Sequence, residues 1–261
     1  MLKKIIFIVI LLILVYGFII EPNNIKVTNY KINNPALKGI KIAFVSDFHV
    51  KPNEHGKLRK ITKIINQQDP DIILSTGGFI NGSKEISTMP IEKIAERLAI
   101  LSLKARFYTV LGENDLLNKD KVQNALKKVS INVISNSGKR ILVKGKALNI
   151  FGIENKTGLN ENLKKMMSKT KEPVILLSHY PDVFKETPEN VFLTLSGHTH
   201  GGQIVIPPFG ALILPKDSDK NYIKGLITEE NKKMIITSGL GTSNIHARIN
   251  CPPEIVIITF E

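Results

Sequence analysis

The chain of 261 residues has no tryptophan, a single cysteine and only 6% aromatic residues. Because Cys251 has no cysteine partner in the chain, a disulfide scaffold is excluded. Acidic residues are also scarce, with 23 Asp and Glu against 36 Lys and Arg, and the formal charge is +13. This charge favours anionic partners such as phosphorylated substrates, acidic lipids or wall polymers. Nucleic acid is disfavoured, since no cluster of arginine and aromatic residues is present.

The N-terminus carries an uncharged run of 16 residues, Ile5 to Ile20, after Lys3 and Lys4. Its length is at the short edge of the roughly 17–25 residues that span a bilayer. Residues 1–20 are therefore predicted to be a transmembrane anchor or a signal segment. No small-x-small cleavage site follows, which favours an uncleaved single-pass anchor in the cell membrane. The two lysines favour a cytoplasmic N-terminus and an extracytoplasmic globular part.

Beyond a predicted linker, residues 21–38, apolar periodicity indicates one domain over residues 39–261. Its first half alternates strands with amphipathic helices, which is typical of parallel βαβ units. Its second half is richer in strands, so two packed sheets with helices outside would account for the pattern. The strands predicted from apolar runs are Lys41–Val45, Asp71–Leu74, Phe107–Leu111, Ile141–Val143, Ala147–Phe151, Val174–Leu177, Val191–Leu195, Ile204–Ile206, Lys233–Ser238 and Ile255–Phe260.

Side chains able to bind metal follow several of these strands. Four of the six histidines occupy such positions, and carboxylates accompany them. The residues concerned are Asp47, His49, Glu113, Asp115, His179, His198 and His200. Because parallel strands end at one edge of a sheet, these side chains are expected to converge. A set of histidines and carboxylates suits Zn, Mn or Fe better than Mg or Ca.

The order of these motifs resembles that of the calcineurin-like metallophosphoesterases, in particular a membrane-anchored bacterial branch. The resemblance covers Ile40 to the C-terminus and implies a mixed α/β fold, a four-layer α/β/β/α sandwich of two mixed sheets. It also implies two-metal hydrolysis of a phosphoester. The matching segments are Asp47-Phe48-His49, Gly77-Gly78, Gly112-Glu113-Asn114-Asp115, His179 and Gly197-His198-Thr199-His200.

The resemblance assigns roles residue by residue. It implies one metal site from Asp47, His49 and His200. A second site is implied from Glu113, His179 and His198. The catalytic position that assists the leaving group is Asn114, beside Asp115, which either orients that side chain or caps the following helix. His246 and Arg248 are implied to contact the substrate phosphate.

Three matched positions depart from the family pattern. Gly78 stands where the family has the bridging Asp, Glu113 where it has Asn, and Asn114 where it has the assisting His. One interpretation is decay, leaving a catalytically impaired pseudoenzyme that binds metal or phosphate ligands or acts in regulation. In that case reversing the three changes together should raise activity. The other interpretation is rearrangement of the site, because the negative charge lost at position 78 is regained at position 113.

The sequence thus predicts a metal-dependent phosphoesterase acting at the membrane surface on a phosphodiester, phosphomonoester or pyrophosphate bond. Lipid-linked and nucleotide-sugar compounds are among the candidate substrates. The expected cofactors are two divalent transition-metal ions (Mn, Zn or Fe), or one if the altered site fills only in part. The pseudoenzyme remains the alternative.

Overall fold

A computed structural model describes residues 1–52, 54–82, 88–154, 158–216, 218–243 and 245–261. Six α-helices lie in this part of the chain: α1 Leu2–Val15, α2 His55–Gln68, α3 Ile91–Ser102, α4 Glu113–Leu116, α5 Lys119–Lys128 and α6 Glu161–Ser168. The first is continued by a π-helical turn, Tyr16–Ile20, and a 3-10 turn, Glu21–Asn23. The resulting helix Leu2–Asn23 is long and apolar enough to cross a membrane, a property that signal sequences share.

Within the described residues, fourteen strands form two six-stranded sheets and one two-stranded hairpin. In chain order they are β1 Lys26–Ile32, β2 Lys41–Val45, β3 Ile72–Ser75, β4 Arg106–Thr109, β5 Ile131–Val133, β6 Ser137–Val143, β7 Lys146–Ile153, β8 Val174–Ser178, β9 Val191–Ser196, β10 Val205–Ile206, β11 Gly210–Ala211, β12 Gly225–Glu229, β13 Lys232–Ile236 and β14 Glu254–Phe260.

Both large sheets are mixed. The first has the order β1-β14-β2-β3-β4-β5, in which β2 to β5 run parallel and β14 runs antiparallel to β2. The second has the order β12-β13-β9-β8-β7-β6, with β13, β9, β8 and β7 parallel. The predicted parallel units in the first half and the strand-rich second half are therefore confirmed.

The core shows why the elements stack in four layers. Apolar residues of the two sheets, such as Phe44, Leu74, Leu177 and Leu195, pack against one another between the sheets. On its outer face the first sheet buries the apolar sides of α2, α3 and α5. The second sheet is covered by α6 on its own outer face. Each sheet is thus buried on both faces, as continuous rather than alternating apolar strands require.

A strand lies within the segment predicted to be a linker. Residues 26–32 form β1, which pairs in parallel with β14 over its whole length, from Lys26 opposite Glu254 to Ile32 opposite Phe260. Its sequence, KVTNYKI, mixes polar and apolar residues, and its side chains remain at least partly exposed except for that of Ile32. An edge strand of this kind has a weak pattern, and its partner lies at the far end of the chain.

Candidate metal centre and active site

Loops that follow strands of both sheets meet at one edge of the sandwich. From the first sheet come the segments after β2, β3 and β4, which carry Asp47, Gly78 and Glu113. From the second come the segments after β8 and β9, which carry His179 and residues 197–200. Together they line a cavity of about 590 Å³. The expected convergence of the metal-binding side chains at the strand ends is therefore observed.

Asp47 lies at the centre of this site. Its Oδ1 atom is 3.7 Å from Nε2 of His49 and 3.9 Å from Nε2 of both His179 and His200. Oδ1 is buried and, within the part of the chain that the structure describes, accepts no hydrogen bond. The other oxygen, Oδ2, accepts one from the backbone N–H of His198 at 3.0 Å. A buried carboxylate oxygen left without a donor is costly, unless a cation completes its environment.

Backbone carbonyls fix the orientation of two imidazoles. Nδ1 of His49 is 3.0 Å from the carbonyl oxygen of Ile80, and Nδ1 of His179 is 2.8 Å from that of Thr76. Because a carbonyl oxygen only accepts, each Nδ1 carries the proton. In the neutral ring the lone pair is then on Nε2, the atom that faces Asp47. This arrangement is typical of metal-binding histidines.

The protonation states also suit a metal. Burial on its own raises the pKa of Asp47, but the surrounding imidazoles, His200 first, hold it well below its usual value. Burial lowers the pKa of His200 well below its ordinary range, so this ring is neutral. An ionised carboxylate beside neutral imidazoles is the form that binds a divalent cation.

Asp47, His49 and His200 fit one ion together. One ligand atom from each lies within 4.8 Å of the others, and all three residues are buried. Among the residues that the structure describes, this is the only such group of His, Cys, Asp and Glu. A divalent transition metal is therefore well matched to these three residues, which we call the Asp47 trio.

The residues expected to form the second site are less closely assembled. The rings of His179 and His198 are 5.1 Å apart, measured between centroids, and Tyr180 packs edge-on against both. Glu113 Oε2 is 4.0 Å from Nδ1 of His198, but 53% of the Glu113 side chain is exposed. Burial, with Glu113 nearby, raises the pKa of Tyr180 to about 12, so its hydroxyl stays protonated. A second ion at this position would require Glu113 to move inward.

The space around Asp47 is filled by glycine backbone. A Cβ atom on Gly78 would lie 2.8 Å from the Cα of Asp47, and one on Gly239 would lie 2.7 Å from its Cβ. A Cβ on Gly197 would lie 2.6 Å from Oδ2 of Asp47. Gly78 also has a φ of +74°. A carboxylate at position 78 therefore has no room in this structure, and the glycine is a packing requirement of this chain.

Asp115 holds the loop that carries Gly78. Its carboxylate accepts hydrogen bonds from the backbone N–H groups of Gly78, Phe79 and Ile80 at 2.7 to 3.1 Å. It also accepts one from Gly112, which starts α4, at 3.0 Å. Asp115 thus closes the first turn of α4, the helix that contains it, and anchors the 78–80 loop; α5, the helix that follows, has Asn118 at its N-cap and no side-chain capping bond.

Asn114 lines the cavity, whereas the two residues expected to contact phosphate do not. The guanidinium of Arg248 is fully buried and donates to the carbonyl oxygens of Ser238, Gly241 and Cys251. This geometry supports a structural role for Arg248 rather than contact with substrate. His246 contacts the Thr242 hydroxyl through Nδ1 at 2.8 Å and lies outside the cavity wall.

The backbone at the site is strained. Asp47, His49, His198 and His200 all have positive φ angles, between 38° and 69°. Non-glycine residues seldom adopt this region, and where they do the surrounding structure must impose it. Such outliers concentrate at functional sites. Sequence patterns gave no sign of this strain, and they also did not indicate that residues 213–216 line the cavity.

Comparison with known proteins agrees with the geometry. The family model described as calcineurin-like phosphoesterase matches residues 40–202. The chain belongs to this family. It is a metallophosphoesterase by family, with the Asp47 trio as its candidate metal site. The expected family and fold are thus confirmed, whereas substrate and location are not identified by this match.

Several relatives, two of them of similar length, support the same assignment. An uncharacterized metallophosphoesterase of Aquifex aeolicus is 29% identical over 255 residues, covering 93% of this chain and 94% of its own. The phosphodiesterase YaeI of Escherichia coli is 27% identical over 231 residues, covering 84% and 81%. A zebrafish (Danio rerio) transmembrane protein with a metallophosphoesterase domain is 24% identical, covering 95% and 60%. A solved structure of the Thermus thermophilus sulfate thiohydrolase SoxB shares the fold, with a TM-score of 0.51, 13% identity and coverage of 80% and 53%.

Proposed function

We propose that this protein is a membrane-anchored, metal-dependent hydrolase of phosphodiester, phosphomonoester or pyrophosphate bonds. The observation that carries the proposal is the buried Oδ1 of Asp47. It lacks a hydrogen-bond donor among the described residues and is faced by Nε2 atoms of three histidines. The Asp47 trio would hold the first divalent ion, and Glu113, His179 and His198 would hold a second one if both bind.

A divalent transition-metal ion supplies a Lewis acid that generates a nucleophile from water and stabilises charge on phosphoryl oxygens. The residues of this chain provide the dry, buried cradle that such a centre needs. His49 and His179 are held by backbone carbonyls, so their rings are oriented before any ligand arrives. Lys216 lines the same cavity and places a positive charge near an incoming phosphate.

The residues opposite the Asp47 trio limit the substrates. Asn114 can donate a hydrogen bond to a phosphate oxygen, but its amide cannot give a proton to a leaving group. Asp115 is committed to four backbone N–H groups. The leaving group must then be stable without protonation, as a pyrophosphate or an activated ester is. Substrates of this kind, including lipid-linked pyrophosphates and nucleotide sugars, are favoured.

Retention of the N-terminal helix as an anchor is supported by its contacts with the domain. The carboxylate of Glu21 accepts hydrogen bonds from the backbone N–H groups of Asn250 at 2.9 Å and Cys251 at 2.6 Å. The carbonyl oxygen of Gly17 accepts one from Arg248 at 2.9 Å. Removal of the helix after Ile20 would leave Glu21 in place but would remove the Gly17 contacts and uncover the backbone N–H of Arg248 and the Ile249 side chain. An anchored enzyme is therefore favoured over a secreted one.

The test is metal analysis of the purified full-length protein, with hydrolysis of bis(p-nitrophenyl) phosphate measured with and without added Mn²⁺. We expect at least one transition-metal ion per chain and hydrolysis that a chelator abolishes and Mn²⁺ restores. Protein that binds no metal after Mn²⁺, Zn²⁺ or Fe²⁺ is supplied would contradict the proposal.

A specific observation favours the alternative, a metal-binding pseudoenzyme. Glu113 is half exposed and Asn114 lacks an exchangeable acidic proton. Protein that binds a metal tightly but hydrolyses neither bis(p-nitrophenyl) phosphate nor p-nitrophenyl phosphate would establish this alternative instead.

A further inference from the structure

The topology places the N-terminal helix and the cavity at the same end of the molecule. β14 runs antiparallel to β2, and β1 runs parallel to β14. The first residues of β1 and β14 therefore lie at the edge where β2, β3 and β4 end, which is the edge that carries the site. The helix Leu2–Asn23 joins the domain only two residues before β1 begins. It must leave the domain beside the cavity.

The helix end is fixed there by the segment 248–251. Glu21 is 2% exposed, and its two hydrogen bonds go to Asn250 and Cys251 of this segment. A Cβ atom on Gly17 would lie 3.0 Å from the Ile249 side chain, so helix and segment are in close contact. The helix therefore does not swing freely on a linker, and the orientation of the cavity relative to the bilayer is restricted.

The same segment also holds a hairpin. Ile249 forms a parallel bridge with Ile204, and its carbonyl oxygen accepts a hydrogen bond from Val205, the first residue of β10. The hairpin β10–β11 thus lies against the segment that holds the helix end. It continues directly into residues 213–215, which line the cavity.

This hairpin and its neighbour Ile245 expose large apolar side chains to solvent. The exposed fractions are 39% for Ile206, 79% for Phe209, 56% for Leu212 and 43% for Ile245. Ile245 is close to the hairpin because its carbonyl oxygen accepts a hydrogen bond from the side chain of Gln203. We call Ile206, Phe209, Leu212 and Ile245 the apolar rim.

In the described part of the domain, the other exposed large apolar residues are distributed over several separate elements. They are Ile100, Leu103, Leu117, Leu142, Met166 and Leu226. An apolar group next to a cavity and next to a membrane-length helix marks an interaction surface better than scattered single residues do. Burying such side chains away from water is favourable.

We propose that the apolar rim contacts the lipid bilayer that holds the N-terminal helix, so that the cavity opens at the level of the lipid headgroups. The occupant is the bilayer because the helix end and the hairpin share one supporting segment and one end of the fold. The basic chain, at +13, is attracted to anionic headgroups. Resting on the proposed function, the inference identifies the substrate class as a phosphoester with an acyl or prenyl chain in the membrane.

Quenching of a fluorophore tests the bilayer contact without any need for activity. Full-length Phe209→Cys protein is labelled with an environment-sensitive dye and reconstituted into vesicles of anionic phosphatidylglycerol with nitroxide-labelled lipid. Leu103→Cys is the matched control, because Leu103 is 85% exposed and lies just before β4, at the opposite edge of the first sheet. Cys251 is buried, and labelled wild-type protein measures its contribution.

We expect quenching at position 209 to exceed that at position 103 at least threefold. Equal quenching at the two positions would overturn the proposal. The proposal would also be overturned if the quenching at position 209 disappears when unlabelled protein is added in excess. Such a loss would indicate that the dye is quenched by contact between copies of the chain.

A second measurement tests the substrate class. Phe209→Glu and the control Leu103→Glu are compared on hexadecyl p-nitrophenyl phosphate in vesicles and on methyl p-nitrophenyl phosphate in solution. We expect Phe209→Glu to lose at least fivefold on the membrane ester only. Equal rates for both variants on the membrane ester would overturn membrane delivery of substrate. If wild-type protein hydrolyses neither ester, the proposed function fails. The fluorescence quenching experiment still tests the contact with the bilayer in that case.

Discussion

On one side of the cavity, Asp47, His49 and His200 are buried and bring ligand atoms within 4.8 Å of one another. On the other side, Glu113 keeps about half of its side chain in solvent, 4.0 Å from Nδ1 of His198. His179 lies between the two, since its Nε2 is 3.9 Å from Oδ1 of Asp47 and its ring contacts that of His198. The first side is organised by the fold itself, and the second depends on one half-exposed carboxylate.

This difference bears on how the chain copes without a bridging aspartate. Glycine backbone packs so closely around Asp47 that position 78 has no space for a carboxylate. Oδ1 of Asp47 instead faces histidines of both predicted sites, His49 and His200 on one side and His179 on the other. A single buried carboxylate oxygen thus faces histidines of both predicted sites.

The largest effect is expected from Asp47→Asn. The substitution removes the charge that the three imidazoles face, and should abolish metal binding at the Asp47 trio. Because loss of an outer partner alone typically costs 10–100-fold in metal affinity or activity, we expect a decrease of more than about 100-fold in hydrolysis. Metal content and bis(p-nitrophenyl) phosphate hydrolysis are the measurements.

The matched control for that substitution is Asp71→Asn. Asp71 is also a largely buried acid, and it accepts a hydrogen bond from Lys41 and pairs with Lys144 at the opposite edge of the first sheet. The Asp71→Asn substitution should reduce the stability of the fold slightly and leave the metal content unchanged. Normal metal binding by Asp47→Asn would show that the trio is not a metal site.

Substitution of Gly78 tests whether the glycine is a lost residue or an adapted one. The decay interpretation predicts that Gly78→Asp, with Glu113→Asn and Asn114→His, raises activity. The packing predicts the reverse, because any Cβ at this positive φ would meet the backbone of Asp47. We expect Gly78→Ala and Gly78→Asp each to destabilise the fold by roughly 1–3 kcal/mol and to weaken metal binding.

Thermal unfolding measures that effect, with about 2–4 °C expected per kcal/mol for a chain of this size. Gly145→Ala is the control: its φ is +76°, but a Cβ there would meet nothing within 4 Å. Both alanine variants therefore carry the strain of a positive φ, but only Gly78→Ala also brings its Cβ against Asp47. Activity gained by the triple substitution would favour decay over adaptation.

A smaller effect is expected from Glu113→Gln. Since this side chain is half exposed and does not belong to the Asp47 trio, its loss should leave the first ion bound. We expect the affinity for a second ion to fall by about tenfold, with hydrolysis falling in proportion if two ions are needed. Calorimetric titration with Mn²⁺ separates the two binding events.

Glu92→Gln serves as the control for that titration. Glu92 is 50% exposed and pairs with Lys121 on the surface, away from the cavity. An identical isotherm for wild type and Glu113→Gln would mean that Glu113 does not bind a second ion.

The sequence allowed the first side of the site to be predicted more fully than the second. Asp47, His179 and His198 each follow an apolar run that forms a buried strand, so periodicity alone put them at one edge. The family resemblance then grouped Asp47 with His49 and His200 as one predicted site, and His179 and His198 with Glu113 as a second; the structure brings the first group within 4.8 Å. These inferences need only the strand ends, which local patterns indicate well.

Features that depend on distant partners could not be predicted in the same way. The β1 strand pairs with the last strand of the chain, and nothing within Lys26–Ile32 indicates that partner. Arg248 was expected to contact phosphate, yet its guanidinium donates to carbonyls of several loops. The crowding around Gly78 comes from Asp47, 31 positions earlier in the sequence. These contacts form between residues far apart in the chain, so they are known only once the folded structure is available.

The smallest effect, and the most selective one, is expected from Asn114→His. An imidazole at this position lines the cavity and provides a general acid, a role generally worth about 10²–10⁴-fold where it is well placed. Here the Asn114 side chain packs closely against Gly82: a Cβ atom on Gly82 would lie 2.5 Å from Oδ1 of Asn114. The larger histidine ring must therefore shift from this position. We therefore expect a gain of no more than about tenfold, limited to esters with poor leaving groups. Rates with phenyl and p-nitrophenyl esters of the same phosphate measure it. Asn114→Gln, which is also enlarged but carries no acid, should show no such gain, and an equal gain on both esters would indicate altered metal binding instead of proton donation.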